Sequence, residues 1–199
     1  LRRLGYRMTG VDLSRDMLSQ AAQKARDAGL EIPFVCQDMC HLQLHRRQDA
    51  ILCTCDGVNY LTTSDRARHF FRAAYAQLKP GGALIFDVST PEKLSGTLGD
   101  HTLGCQEEDI SYIWQNAYHP RTRTVDMRLS IFVGDADGRY QRLEETQTQR
   151  AHTLEELTKY LAEAGFADIH AYGKLTLRAP RPGDERWHIR AIRPKENAK

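Results

Sequence analysis

The chain has 199 residues, enough for one large domain or for one domain carrying an insertion. Hydrophobic residues at 41% and charged residues at 27% allow a core and exclude wholesale disorder. A formal net charge of +2 is too mild for a basic nucleic-acid-binding domain, no apolar run has the length of a membrane span, and the start carries no secretory pattern. Of the five cysteines, Cys36, Cys40, Cys53 and Cys55 lie in or beside apolar runs. That usage suits reduced, buried thiols in a cytoplasmic protein rather than a disulfide framework. The Cys36/Cys40 and Cys53/Cys55 spacings, with His41 nearby, are not those of a zinc knuckle or ribbon, so no metal site is expected.

Leu1 to Tyr6 reads as the last turn of a helix with its glycine stop. Met8-Thr9-Gly10-Val11-Asp12 is a buried strand ending on a carboxylate, and Ser14 opens a helix at once. In open α/β sheets ligands sit beyond the carboxyl ends of the strands, so Asp12 is placed to accept the two hydroxyls of a ribose. An ordinary polar strand end before an N-cap reads equally well on these residues alone. The helix carries Met17, Leu18, Ala21, Ala22 and Ala25 on one face and stops near Gly29. Phe34-Val35-Cys36 is a short strand, followed by Asp38. Residues 49–55 form a continuous apolar run, the pattern of a parallel strand buried on both faces, and residues 56–60 leave it as a loop. Ser64 is expected to cap a helix whose buried face is Ala67, Phe70, Phe71, Ala74 and Leu78. Lys79-Pro80-Gly81-Gly82 breaks it before the strand 83–88.

From residue 105 to 151 the period changes from helical to alternating. Tyr112, Trp114 and Asn116 share one strand face, and Val125, Met127, Leu129 and Ile131 share another. His119-Pro120-Arg121-Thr122 and residues 134–138 are turns. These features predict an inserted three-stranded antiparallel sheet whose third strand, Tyr140 to Arg150, is polar enough to be solvated or to line a cavity. Thr153 to Glu156 is a capping box, Gly165 ends the helix it opens, and two final strands pair antiparallel.

This order resembles class I S-adenosylmethionine-dependent methyltransferases. Gly10-Val11-Asp12-Leu13-Ser14 with Met17 is similar to their second strand, Gln37-Asp38-Met39 to the turn after the third, and residues 49–61 to the fourth strand and its loop. Leu78-Lys79-Pro80-Gly81-Gly82 before a buried strand is the most typical piece. Glu107 to Asn116 is similar to a segment of the small bacterial members that carry an antiparallel insertion before the last helix. The resemblance implies an α/β fold with a Rossmann-like, mostly parallel sheet and an antiparallel terminal strand. It implies a cofactor-binding domain from residues 1–104 and 152–199, with residues 105–151 as an inserted lid or substrate wall. The family's first strand and Gly-rich turn would precede residue 1, so an N-terminally truncated fragment that binds the cofactor weakly or not at all is expected.

The resemblance also assigns residues. S-adenosylmethionine is the implied cofactor, held by Asp12, Leu13, Met17, Asp38, Met39, Cys53, Thr54 and Cys55, with Asp38 at the adenine amine. Asn59, Tyr60, Tyr112 and Trp114 are the candidate substrate-pocket residues; covalent catalysis by a thiol is not expected. Arg150 and Glu144 are weighed as contacts to a charged substrate. The implied acceptor is a nitrogen or oxygen atom of a small molecule. RNA, a nicotinamide-dependent oxidoreductase and a non-catalytic binding module on the same fold are the rivals.

Overall fold

A computed structural model describes residues 1–107 and 109–195. Glu108, within the segment that carries the narrower resemblance, and the last four residues of the charged tail lie outside the described residues.

The first unit is β1 (Gly10–Asp12), α1 (Arg15–Asp27) and β2 (Phe34–Cys36). β1 and β2 pair in parallel, with Asp12 opposite Cys36, so their carboxyl ends lie side by side. Ser14 Oγ accepts the Met17 amide at 3.2 Å, which gives α1 its cap. Gly29, at φ +65°, turns the chain out of the helix in the left-handed conformation that glycine takes without penalty.

The second unit holds the main core. β3 (Gln48–Cys53), α2 (Ser64–Gln77), β4 (Leu78–Ser89), α3 (Leu154–Glu163), β9 (Ala167–Gly173) and β10 (Arg186–Ile192) build a sheet in the order β3-β4-β10-β9. β3 is parallel to β4, while β10 runs antiparallel to both β4 and β9. The Lys79–Gly82 turn lies within β4 and shifts its register against β3. Its Gly82 leaves no room for a side chain, since a Cβ would meet the Asp49 carbonyl at 3.0 Å and the Lys79 carbonyl at 2.9 Å. Phe70, Phe71, Ala74, Leu84, Phe86, Val88, Leu157, Leu161 and Ile189 form the buried cluster between this sheet and α2 and α3.

The third unit is the insertion, with β5 (Thr102–Gln106), β6 (Ile110–His119), β7 (Thr124–Gly134) and β8 (Tyr140–Arg150) in chain order. It has four strands rather than the expected three. β5 lacks an apolar alternation of its own and is recruited by pairing with Ser111 to Gln115. A π-helical turn, Lys93–Leu98, leads into it and buries Leu94 and Leu98 against Val125, Met127 and Ala151.

Several expectations are corrected. Thr63, not Ser64, caps α2, its hydroxyl accepting the Arg66 amide at 3.2 Å. β3 is not buried on both faces: Leu52 is 44% exposed, because β4 is the only strand hydrogen-bonded to β3 among the described residues. For the same reason the parallel strands form two sheets, β1-β2 and β3-β4-β10-β9, rather than one. The thiols of the described residues are all free, but Cys36 and Cys55 are exposed rather than buried. Only Ala25 of the apolar stripe on α1 is fully buried, and Met17 is 61% exposed.

Candidate active site

The site builds from the carboxyl ends of the strands. Asp12 ends β1 with its side chain exposed; Oδ1 accepts the Ser14 amide at 2.8 Å, and Oδ2 carries no hydrogen bond among the described residues. That geometry orients the carboxylate and leaves one oxygen able to accept. Leu13, 68% exposed, and Met17 flank it. Large apolar side chains beside a free carboxylate fit a purine nucleoside, whose sugar needs acceptors and whose base needs an apolar border.

Asp38 does something else. Its Oδ1 accepts the Cys40 amide at 2.9 Å and caps the single 3-10 turn Met39–His41, and Arg66 of α2 pairs with the same carboxylate at 3.1 Å. Burial opposes its ionisation, but the Cys40 amide and the Arg66 guanidinium outweigh it and hold the carboxyl below its ordinary range. The carboxylate thereby tethers the first unit to α2. Met39 packs against the main core rather than on an open surface. Beside it Cys40 is buried, its Sγ within 3.4 Å of the Arg66 carbonyl oxygen, and burial pushes its thiol up to about 11.

β3 ends at Cys53, a half-buried side chain packed where a Cβ on Gly57 would meet its Sγ at 2.7 Å. Burial pushes its thiol up to about 12, so it is no thiolate nucleophile at neutral pH. Thr54 is exposed. Cys55 and Asp56 both take the left-handed conformation at φ 59°, which non-glycine residues adopt at a cost of roughly 1 kcal/mol each. Arg186 of β10 holds this turn, pairing with both Asp56 and Asp87; Lys93 lies 4.0 Å from Asp56 and donates to Ser89 Oγ at 3.0 Å. This cluster was not anticipated. Its one sequence signal is Asp87, a carboxylate interrupting the apolar run of β4.

The 3-10 turn Gly57–Tyr60 follows. Asn59 is 0% exposed: its Nδ2 donates to the Ser89 and Arg150 carbonyls at 3.0 and 2.9 Å, and its Oδ1 accepts the Ser89 amide at 2.9 Å. It cannot face a methyl group, as its sequence position suggested, and serves instead to lock the turn to β4 and β8. Tyr60 is 40% exposed, and its hydroxyl donates to Gln147 Oε1 of β8 at 2.6 Å.

Cross-strand pairing defines one face of the inserted sheet. Leu103, Trp114, Leu129 and Glu145 form one row, and Asn116, Met127 and Gln147 the next. The two apolar stripes expected as separate faces are thus one. At the end nearest the main core it buries Asn116, Val125, Met127 and Gln149; beyond, it opens around Tyr112, Ile131 and Leu143. Trp114 packs on the second core cluster, and its indole nitrogen is buried without a partner. Tyr112 is half-buried. A shallow depression of about 430 Å³ at this end of the sheet is lined by Gly104, Cys105 and Gln106 of β5, Ser111, Tyr112 and Ile113 of β6, and Phe132 of β7.

Arg150 does not meet a substrate. It is buried, donates to Ser64 Oγ and pairs with Glu156 at 2.8 Å, which also pairs with Arg123. Glu144 lies on the opposite face, bonded to Ser130 and Arg142. No group of residues able to hold a metal is found among the described residues.

A sheet with one antiparallel strand wedged between β4 and β9 is the terminal arrangement of the class I methyltransferase fold. Comparison with known proteins leads to the same place. Residues 1–82 match a methyltransferase-domain family. Over 192 residues the chain is 35% identical to the putative methyltransferase YqeM of Bacillus subtilis, covering 96% of this chain and 77% of that protein. A crystal structure of an S-adenosylmethionine-dependent methyltransferase from Clostridium acetobutylicum superposes with a TM-score of 0.89 at 31% identity, covering 96% of this chain and 76% of that one. CalS10, an amino pentose methyltransferase from Micromonospora echinaspora solved with S-adenosylmethionine bound, shares the fold at a TM-score of 0.69 and 24% identity, over 93% and 73% of the two chains. The chain belongs to the S-adenosylmethionine-dependent methyltransferases, and S-adenosylmethionine is its cofactor. The nicotinamide alternative falls with that assignment.

Proposed function

We propose that this chain methylates a nitrogen or oxygen atom of a small molecule. In this reading Asp12 accepts the ribose hydroxyls, Leu13 and Met17 border the adenine, and the backbone of residues 53–55 passes beside the cofactor. Tyr60, Tyr112 and Trp114 form the acceptor wall, which makes the inserted sheet a lid over the strand ends. The cofactor supplies an activated methyl group, so the protein's part is orientation and exclusion of water. Asn59 and Arg186 contribute by fixing the turn that carries Tyr60.

The observation that carries this reading is the Tyr60–Gln147 bond, which joins the turn after β3 to the inserted sheet across 87 residues. One further feature favours a small acceptor over RNA. Arg123 and Arg150 share the Glu156 carboxylate and Arg142 pairs with Glu144, so three of the insertion's six arginines are engaged within the protein rather than free for a phosphate backbone. Among the described residues no helix is long and apolar enough to cross a membrane.

Tritiated methyl groups offered with a fractionated bacterial extract are expected in the small-metabolite fraction; label confined to RNA would overturn the reading. Asp12→Asn is expected to weaken S-adenosylhomocysteine binding about 10- to 100-fold in calorimetry, since hydrogen bonds to a charged acceptor are worth about 1.5–3 kcal/mol. Unchanged affinity would remove Asp12 from the site.

A further inference from the structure

The inner face of the inserted sheet is almost uncharged. Pairing places on it Leu103 and Cys105 of β5, Tyr112, Trp114, Asn116 and Tyr118 of β6, and alternating apolar residues of β7 from Val125 to Val133. On β8 it carries Gln141, Leu143, Glu145, Gln147 and Gln149. Among the described residues of these four strands, Glu145 is the one charged side chain on that face. The cations of β7 and β8, Arg128, Arg142 and Arg150, alternate to the other side. Glu145 forms no ion pair among the described residues, whereas the two other carboxylates of these strands, Asp126 and Glu144, pair with His119 and Arg142.

Glu145 is also wired to the turn after β3. Tyr60 Oη donates to Gln147 Oε1 at 2.6 Å, and Gln147 Nε2 donates to Glu145 Oε1 at 3.3 Å. The Gln147 amide is thereby oriented, with its oxygen toward Tyr60 and its nitrogen toward Glu145. One carboxylate oxygen is tied down, and the group stands at the end of a row with Leu129 and Trp114. A carboxylate held in place on an apolar and aromatic surface, with no cation of the protein beside it, is a receptor for a cation. An ammonium there gains a charge-assisted hydrogen bond and an apolar bed for its carbon stem.

We propose that Glu145, oriented through Gln147 and Tyr60, recognises a protonated amine on the methyl acceptor and so restricts the enzyme to amine-bearing small molecules. This rests on the reading of the inserted sheet as the acceptor wall. Neither Glu145 nor Gln147 stands out in the sequence, because both lie in a strand polar from end to end.

The test measures binding of tyramine, glucosamine and putrescine, each against its hydroxyl match (tyrosol, glucose and 1,4-butanediol), by saturation-transfer NMR with S-adenosylhomocysteine present. At least one amine is expected to bind at least tenfold more tightly than its match. Glu145→Gln is expected to abolish that preference, and Glu145→Asp to keep part of it. Binding of no amine, equal binding of the matches, or a preference that survives Glu145→Gln would overturn the proposal. Calorimetry with S-adenosylhomocysteine separates the two readings. Absence of S-adenosylhomocysteine binding in the unmodified protein would strike the cofactor site, whereas its presence with no amine preference strikes Glu145 alone.

Discussion

The first unit and the main core are built from the same strand–helix–strand pieces, yet they are held very differently. α2 buries Ala67, Phe70, Phe71 and Ala74, while α1 buries Ala25 alone. Among the described residues β4 has a hydrogen-bonded partner on each side, β1 only one. The acid proposed to grip the cofactor thus stands on the lightly anchored unit, whereas Tyr60, proposed for the acceptor wall, stands on a turn that Asn59 locks to β4 and β8. Such a division separates the demands of the two ligands. A common cofactor can order a loosely held strand tip by its own binding, whereas discrimination between acceptors needs groups whose positions are set beforehand.

The comparison breaks most simply at the two cores. Phe71→Ala is expected to cost about 3–5 kcal/mol in urea unfolding, because it empties a site packed against Phe70 and Phe86. Phe34→Ala, at a half-buried position of β2, is expected to cost less than half as much. Equal losses would mean that the two units are equally well packed.

pH should act on the locked region first. His152 is fully buried, with Nε2 at 3.0 Å from the Leu61 carbonyl. Burial, helped by the Arg150 charge, lowers its pKa to about 4 from an ordinary 6.5. Above pH 6.5 the ring is neutral in both folded and unfolded chains. Between 6.5 and 4 only the unfolded chain takes the proton, so this contribution to stability declines as pH falls and is gone below 4. The whole is about 3 kcal/mol at 1.36 kcal/mol per pH unit. Carboxylates with lowered pKa, Asp38 and Glu156 among them, add a decline only near and below pH 4. Urea midpoints from pH 7 to 5 are expected to fall in the unmodified protein and to fall less steeply in His152→Gln, where His188, its pKa also lowered by burial, still contributes.

The smallest effect sharpens the boundary between the units. Asp38→Ala removes both the cap of the turn Met39–His41 and the partner of Arg66, for about 1–2 kcal/mol. Hydrogen exchange is expected to rise in β1 and β2 while α2 and β4 keep their protection. Uniform acceleration would mean that the two units unfold together.

Much of this was legible along the chain. The Thr153–Glu156 capping box forms as its spacing implies, with both reciprocal bonds present. β6, β7 and β8 pair antiparallel as their alternation implies, and the residues after Gly82 form a largely buried strand, although β4 already begins at Leu78. Asp12 lies at a strand tip with an oxygen to spare. The departures are of another kind. Thr63 and Ser64 are both good caps, and only the path of the chain selects between them. Met17 has the spacing of a core residue but meets no opposing layer. Asn59 reads as a polar loop residue facing a ligand, yet carbonyls 30 and 91 residues away enclose it.

The sequence alone determined the local geometry and the family. Caps, turns and alternation are set by residues within a few positions of one another, and those are read directly. Only the tertiary structure decided which polar side chains are free. Asp38, Asn59 and Arg150 are consumed by distant partners, while Glu145 is left facing an uncharged surface. A side chain's availability depends on what closes over it, and strands and helices remote in sequence supply that closure.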